Sequence, residues 1–325
     1  MHLKLTIEVQ ELSIRLDRAI LQHLQKQGIA LSRGQLKVLI QESKVLYQDR
    51  PVSGSFLLSS GSHSIAILRS ADEPPLGTPL KASPAAASFQ LPIIYEDENL
   101  FLINKTSGVP SLPHEEGETE TAVNFALARL PELAQIGRKG LEPGLLHRLD
   151  TQTSGLLLFA KNQNEFDRLS VLWKRHSIQK IYRALAKQTP TPLSKAPFPA
   201  LPSLPLTLDI PLGHHSKSSK KMIPLSEPDP RSFRGKPLRA ITHLLKVKEV
   251  CDGLFDFEIQ IETGVMHQIR CHLSSIGWPL WGDTLYQGLP SNRIWLHAWR
   301  LKIPLKNGTL ITFEAMLPPG WVENI

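Results

Sequence analysis

The segment "LLHRLDTQTSGLLLFAK" at 145–161 places one carboxylate, Asp150, in a short polar run between two apolar runs. A carboxylate at the edge of a core takes up a proton unless a cation holds it ionised. Arg148 is two residues away and points to the other side of an extended chain, so Arg270, on a predicted helix in "TGVMHQIRCHL", is the better partner. Asp150 therefore either performs chemistry as a single carboxylate or forms a turn by bonding to its own backbone.

Strands dominate the region that must position these residues. Apolar runs with period two, or with turn residues between them, predict strands in "LPIIYEDENLFLINK", "LLLFAK", "KIYRALAK" and "LFDFEIQIE". Helical spacing occurs in "TAVNFALARL" and in "MHQIRCHLSSIG", which ends at Gly277. We predict an α+β domain with a mainly antiparallel mixed sheet.

The string "HRLDTQTSGLLLFAK" resembles the signature of the RluA-type family of pseudouridine synthases. Further blocks follow the family's order: "IIYEDENLFLINKTSG", "KIYRALAK", "DIPLGHHSKSSKKM", "RAITHLLKV", "IETGVMHQIRCHLSSIGWPLWGDTLY" and "WLHAWRL". The resemblance implies the pseudouridine synthase fold and an enzyme that breaks the N1–C1′ bond of an RNA uridine, rotates the base and joins C5 to C1′. It implies no cofactor and no metal. It leaves open whether the aspartate attacks covalently or assists through a deprotonated sugar.

The resemblance also implies site residues, position by position. Asp150 is the catalytic carboxylate, and Arg270 is its ion-pair partner, since a buried carboxylate needs a fixed cation. Tyr182 stacks on the target base or helps to remove the proton from C5; a core tyrosine is the alternative. Arg148 fills the space left when the uridine is flipped out of its stack.

Other positions match family blocks with less defined roles. Lys105 and His267 are expected to contact RNA, with a strand-end cation and a hydrogen-bonded helix histidine as the respective alternatives. Asp283 and Tyr286 in "GDTLY" are interpreted as a turn packed near the site.

The chain departs from the family pattern at two positions. Thr106 occupies a position where the family usually has Pro, and Val265 occupies one where it usually has Arg. Neither change removes a proposed catalytic group. The second change is expected to remove a phosphate contact or a salt bridge.

The first 70 residues are predicted to form a small α/β domain of their own. A helix is predicted with Ser13 as N-cap, one face formed by Leu16, Ile20 and Leu24, and a stop at Gly28. A second helix is predicted from Ser32, followed by a strand, a turn and a strand start in "KVLYQDRPV". The pattern resembles the S-four-type RNA-binding domain. Its basic residues, expected to meet RNA phosphates unless they are simply a solvated helix surface, are Arg15, Arg18, Arg33 and Lys37.

Composition marks the remaining boundaries. Residues 71–90 are rich in Pro, Ala, Ser and Gly, which predicts a linker before a catalytic domain at 91–325, and the Pro-rich stretch 187–209 predicts a surface insertion. Lys and Arg number 37 against 30 Asp and Glu, a net charge of +7, which is compatible with RNA and equally with an ordinary mildly basic protein.

The partner and compartment follow from these features. We expect a cytoplasmic monomer that acts on structured RNA, with large-subunit rRNA favoured over tRNA, because no secretory leader or membrane-spanning run is present and only two cysteines occur. No nucleotide-phosphate loop or zinc-protease motif is found. The alternative is an RNA-binding or ribosome-assembly factor with the same fold and little turnover.

Overall fold

The computed structural model describes residues 2–27, 29, 31, 33–69, 83–113, 118–138, 142–187, 203–225, 232–251, 253–305 and 307–321. The chain divides into two compact units, Met1–Lys81 and Ala82–Ile325. The boundary falls inside the predicted linker, of which residues 71–82 lie outside the described ranges. Gly28 and Ser32, predicted to end one helix and begin the next, also lie outside them.

The N-terminal unit is a four-stranded sheet with two helices. In chain order its elements are β1 (His2–Arg15), α1 (Leu16–Lys26), α2 (Arg33–Gln41), β2 (Val45–Tyr47), β3 (Arg50–Pro51) and β4 (Leu57–Leu68). The strands are ordered β1-β4-β2-β3, with antiparallel pairing. Leu16, Ile20 and Leu24 are buried on one face of α1, as the helical spacing predicts.

The start of this unit differs from the prediction. Ser13 is not an N-cap, because the strand β1 continues through it to Arg15 and α1 begins at Leu16. The first residues alternate apolar and polar side chains, and Leu5, Ile7 and Val9 are buried on one face while their neighbours are exposed. This period-two pattern indicates a strand and was missed in the sequence.

The larger unit holds the elements that build the site. Its strands are β5 (Ile93–Glu96), β6 (Leu100–Lys105), β7 (Gly137–Arg138), β8 (Glu142–Pro143), β9 (Ser154–Ala160), β10 (Gln179–Lys187), β11 (Leu206–Asp209), β12 (Leu212–His215), β13 (Met222–Pro224), β14 (Phe233–Leu238), β15 (Ile241–Cys251), β16 (Leu254–Ile261), β17 (Leu296–Pro304) and β18 (Leu310–Glu314). Its helices are α3 (Ala122–Arg129), α4 (Gln163–Lys174) and α5 (Gln268–Ser275), with 3₁₀ turns at Pro131–Gln135 and Thr284–Tyr286.

The main sheet has nine strands in the order β11-β15-β16-β10-β17-β9-β6-β5, with β18 added beside β17. All its pairs are antiparallel except β17 with β9, which run parallel. A small sheet, β13-β12-β14, accompanies it. The predicted α+β class with a mainly antiparallel mixed sheet is confirmed.

The core lies where the predicted strands meet. Every residue of β9 is buried, which explains why its sequence is a continuous apolar run and not an alternating one. The helix α4 was not predicted, although Asn162 caps it by accepting a hydrogen bond from the backbone N–H of Glu165 at 2.9 Å.

Of the predicted insertion, residues 188–202 lie outside the described ranges, and its end forms the edge strand β11, which pairs with β15. Within the described ranges, no helix combines the length and apolarity needed to span a membrane.

Candidate active site

The loop that carries Asp150 is fastened on both sides. Before it, the backbone N–H of Leu146 donates to the carbonyl of Leu158 in β9 at 3.0 Å. The Ser111 hydroxyl donates to the carbonyl of Leu149 at 2.8 Å and accepts from its N–H at 3.0 Å. A turn then follows, because the N–H of Thr153 donates to the carbonyl of Asp150 at 2.9 Å. The main-chain carbonyl of Asp150 thus forms the turn, and its side chain is left to pair with Arg270.

Gly155 fixes the exit of this loop. Its φ is 115°, and a Cβ there would lie 2.3 Å from the carbonyl oxygen of Ala298 in β17. Only glycine fits such a conformation and such a close approach. The Thr-Ser-Gly run after Asp150 therefore joins the loop tightly to β17 at the centre of the sheet.

Arg270 links two carboxylates. Its Nη1 donates to Oδ2 of Asp150 at 3.3 Å, while Nε and Nη2 donate to Oδ2 and Oδ1 of Asp283 at 2.6 and 2.9 Å. The side chains of Arg270 and Asp283 are 7% and 1% exposed, whereas that of Asp150 is 27% exposed. A bidentate pair with Asp283 thus holds the guanidinium, and its free edge faces the carboxylate that solvent can reach. The pairing of Arg270 with Asp150 was expected, but Asp283 as the main partner was missed.

The approach to Arg270 is organised by Gln268, a buried side chain that the sequence did not single out. Its Oε1 accepts from the Thr263 hydroxyl at 2.8 Å and from the N–H of Val265 at 3.1 Å. Its Nε2 donates to the carbonyl of Ile241 at 2.9 Å. These bonds tie the segment before α5 to β15, so that Arg270, two residues further on, points at the loop.

Tyr182 and His267 border the carboxylate. Tyr182 lies in β10, between β16 and β17, and is 8% exposed. Burial and the negative charge of Asp150 raise the pKa of Tyr182, so its hydroxyl stays protonated at neutral pH. His267 Nε2 lies 3.7 Å from Oδ2 of Asp150, and burial lowers the pKa of this imidazole.

Tyr286 supports His267 through a hydrogen bond. The Tyr286 hydroxyl accepts from the N–H of Met222 at 2.8 Å and lies 3.1 Å from Nδ1 of His267. When the hydroxyl donates to Nδ1, the imidazole proton is on Nε2 and faces Asp150. His267 therefore lies beside the carboxylate as a hydrogen-bonded histidine, and its contact with RNA stays a prediction.

Lys105 is placed as a strand-end cation. It is fully buried, and its Nζ donates to the carbonyls of Thr106, Val109 and Thr151 at 3.1, 2.6 and 3.1 Å. Burial lowers the pKa of Lys105 to about 7, while the charge of Asp150 acts in the opposite direction. A direct contact between Lys105 and RNA is at odds with this burial. The ammonium instead holds the backbone of Thr151, the residue after Asp150. Thr106 supplies one of its acceptors, which a proline carbonyl would equally provide.

The other basic residues that were predicted to contact RNA are on the surface. The Arg148 side chain is 65% exposed, with Nη1 at 3.5 Å from Oε1 of Glu142. In the N-terminal unit four exposed cations are Arg15, Arg18, Arg33 and Lys37. Arg15 donates to both carboxylate oxygens of Asp17, at 3.1 and 2.6 Å. Val265 packs against a buried cluster that contains Tyr286, so it takes a place in the core and carries no charge there.

Within the described ranges, no group of three or more His, Cys, Asp or Glu side chains is arranged to hold a metal ion.

Comparison with known proteins shows which family this chain resembles. The family model described as RNA pseudouridylate synthase matches residues 99–275, the segment that contains Asp150, Tyr182 and Arg270. An uncharacterized RNA pseudouridine synthase of Synechocystis is 30% identical, with 94% of this chain and 86% of the relative covered. Ribosomal large subunit pseudouridine synthase D of Zymomonas mobilis is also 30% identical, over 97% of this chain and 94% of the relative.

A solved structure shares the fold. Human RNA Pseudouridylate Synthase Domain Containing 1 superposes with a TM-score of 0.54 at 22% identity, covering 71% of this chain and 85% of that one. The family model spans more than half of this chain, and the relatives align along almost its whole length. The chain belongs to the RNA pseudouridylate synthase family.

Proposed function

We propose that this enzyme converts uridines of large-subunit ribosomal RNA to pseudouridine, with Asp150 as the catalytic carboxylate. The observation that carries the proposal is the asymmetry of that carboxylate. In the described part of the chain, its polar side-chain contacts, from Arg270 and His267, are both to Oδ2. Oδ1 is left to meet the substrate, while the guanidinium holds the carboxylate in place.

Asp150 then acts on the ribose of a uridine that has left its stack. An ionised carboxylate at this point either attacks the nucleotide or accepts a proton from its sugar, and both routes need the same open oxygen. The Tyr182 phenol, kept protonated by its burial beside Asp150, serves the base by stacking and by hydrogen bonding and is a poor proton acceptor before the substrate binds. Arg148, two residues from Asp150 and exposed, is positioned to fill the space that the flipped base leaves.

The choice of ribosomal RNA rests on two supports. Several relatives are named ribosomal large subunit pseudouridine synthase D, including one of Neisseria meningitidis that is 31% identical over 88% of this chain. Among the exposed cations of the N-terminal unit are Arg15, Arg18, Arg33 and Lys37, which we propose bind RNA phosphates in the manner of an S-four-type domain. We further propose a monomer in the reducing cytoplasm, a compartment that the free Cys251 and Cys271 fit.

The decisive experiment maps pseudouridines in total RNA from cells with and without the gene, complemented with the wild type or with Asp150→Asn. Asp167→Asn, an exposed carboxylate on α4, is the matched control. We expect one or more large-subunit rRNA pseudouridines to disappear without the gene, and to return with the wild type and the control but not with Asp150→Asn. The loss of activity should be roughly 10²–10⁴-fold or more.

Each other outcome changes a separate part of the proposal. Losses confined to tRNA would replace the substrate while keeping the reaction. Full complementation by Asp150→Asn would end its catalytic assignment. An unchanged pseudouridine map together with defective ribosomal subunits would favour the alternative of an assembly factor.

A further inference from the structure

Arg293 lies in the segment that leads into β17, outside the residues that the family model matches. Its Nη2 donates to the Ser154 hydroxyl at 2.6 Å, and its Nε donates to the carbonyl of Ile294 at 3.4 Å. The guanidinium carbon is 5.4 Å from the centre of the Trp295 ring. These contacts hold the planar guanidinium in one orientation, half-buried.

This position is beside the catalytic loop. Ser154 is the first residue of β9, four residues after Asp150, and it pairs in parallel with His297 of β17. The charges of both Arg293 and Asp150 act on buried Lys105, in opposite directions, so all three groups share one neighbourhood.

The backbone of Arg293 is also fixed to the turn that carries Asp283. Gly282 has a φ of 87°, and a Cβ on it would lie 1.8 Å from the carbonyl oxygen of Arg293. No side chain fits there, so the turn and the segment before β17 pack backbone against backbone. The guanidinium is therefore placed by the same elements that place the clamp between Arg270 and Asp283.

Arg293 differs from the other cations of the site in its charge balance. Arg270 is paired with two carboxylates, and Lys105 is surrounded by three carbonyls. Among the residues that the structure describes, no carboxylate lies within ion-pair distance of Arg293, and burial lowers the pKa of its guanidinium. Its protein contacts take two of the five N–H donors of a guanidinium. A partly buried cation of this kind is stabilised by an anion that brings its own oxygens.

We propose that Arg293 binds a backbone phosphate of the RNA next to the flipped uridine. The inference rests on the family's action on RNA, whose backbone supplies one phosphate per nucleotide. Arginine suits this ligand because its fixed fork matches two phosphate oxygens, and the pairing with Ser154 and the Trp295 ring orients the fork in advance. A phosphate held at Arg293 positions the adjoining ribose against Oδ1 of Asp150, and the resulting alignment contributes to catalysis.

A purely structural role is the rival explanation, because Arg293 also holds Ser154 at the start of β9. The two roles differ in what they predict about the RNA. If Arg293 binds a phosphate, its replacement should remove the effect of neutralising that one phosphate of the substrate. If Arg293 only braces the protein, its replacement should lower activity regardless of the substrate's backbone charge.

The test uses an RNA hairpin that contains a uridine identified by the pseudouridine map, with single neutral methylphosphonates at each linkage around it. Single-turnover rates and dissociation constants are measured for the full-length wild type, Arg293→Gln and Arg293→Lys. Arg300→Gln is the matched control, since Arg300 is in β17, the strand that follows Arg293, lies over the Trp299 ring at 3.4 Å and pairs with Glu314. Thermal unfolding establishes that each variant is folded.

We expect one methylphosphonate to slow the wild type and the control by roughly 10–100-fold, the range of a charged hydrogen bond, and to have no further effect on Arg293→Gln. The slope of log Kd against log salt should fall by about 0.7–0.9 in Arg293→Gln. Arg293→Lys should recover part of the rate. If Arg293→Gln responds to every methylphosphonate as the wild type does, the phosphate subsite is wrong. If the wild type makes no pseudouridine, the proposed reaction fails instead, and the dissociation constants still decide the subsite.

Discussion

Among the residues that the structure describes, the polar side-chain contacts of Asp150 are made to Oδ2, and Oδ1 is left open. Arg270 and His267 lie on the Oδ2 side, and the raised pKa of Tyr182 keeps a neutral phenol beside the carboxylate. Arg270 is not free to move toward another anion, because Asp283 holds two of its nitrogens. The position of the cation beside Asp150 thus depends on Asp283, a residue that does not touch Asp150.

Replacing Arg270 with Met should reduce both activity and stability. The change leaves the buried Asp283 carboxylate without its bidentate partner, which should lower the free energy of unfolding by about 3–5 kcal/mol. It also removes the cation from Asp150, so the pseudouridine rate should fall strongly. Urea unfolding and single-turnover kinetics measure the two effects.

The control for this variant is Lys246→Met, which breaks an exposed pair with Glu258 at 3.3 Å. That loss should stay below about 1 kcal/mol with an unchanged rate. A wild-type rate in Arg270→Met would show that another residue pairs with Asp150.

At the scale of elements, the site forms where the Asp150 loop and the ends of several strands come together, and buried polar contacts hold them in place. The Asp150 loop is tied to the end of β6 through Lys105 and to β17 through Gly155. The helix α5 is tied to β15 through Gln268. Each attachment uses a backbone carbonyl or a glycine, so the geometry of the loop follows from the sheet to which it is joined.

Replacing Lys105 with Met should loosen the attachment of the Asp150 loop to β6 without changing the contacts between the protein and RNA. Carbonyls of Thr106, Val109 and Thr151 would lose a donor, and an unsatisfied buried acceptor costs about 1–3 kcal/mol. We expect lower stability and a lower rate, with an unchanged salt dependence of RNA binding, since the ammonium is fully buried. Salt-titrated binding and urea unfolding measure these quantities.

Arg148→Met provides the contrast from the same loop. Its exposed side chain should matter for the rate and for the salt dependence, with stability kept. A reduced salt slope in Lys105→Met would return Lys105 to the residues that contact RNA.

At the scale of the whole molecule, the N-terminal unit is expected to supply affinity and the larger unit to supply chemistry. Replacing four exposed residues together with Gln, namely Arg15, Arg18, Arg33 and Lys37, should weaken binding to the mapped rRNA segment and flatten its salt dependence. The rate at saturating RNA should be kept, because none of the four lies in the unit that contains Asp150. An unchanged salt slope would argue against RNA binding by this unit.

Acid should destabilise the larger unit through a buried imidazole. His297 is 1% exposed, and burial lowers its pKa to about 4, so the native state binds fewer protons than the unfolded chain between that value and the usual value near 6.5. Stability therefore falls as pH drops through this window, by roughly 3 kcal/mol at its lower end. His297→Gln should unfold with a smaller pH dependence in urea at pH 7.5, 6 and 5. Identical pH dependences for the two proteins would contradict the neutral burial of His297.

The sequence by itself determined five strands of the main sheet, β5, β6, β9, β10 and β16, the helices α1, α3 and α5, and the reaction class, because local periodicity and ordered motif blocks encode them. It also pointed to Asp150, Tyr182 and Arg270 as neighbours. It missed the opening strand and α4, although alternation and an Asn cap were present.

Only the tertiary structure decided the partners of these residues. Asp283 as the clamp on Arg270, Gln268 as the brace of α5, the burial of Lys105 and the half-burial of Arg293 depend on contacts between different segments of the chain. The physical reason is that charge pairing and burial are set by which atoms the folded sheet brings together, and residue spacing along the chain carries no record of them.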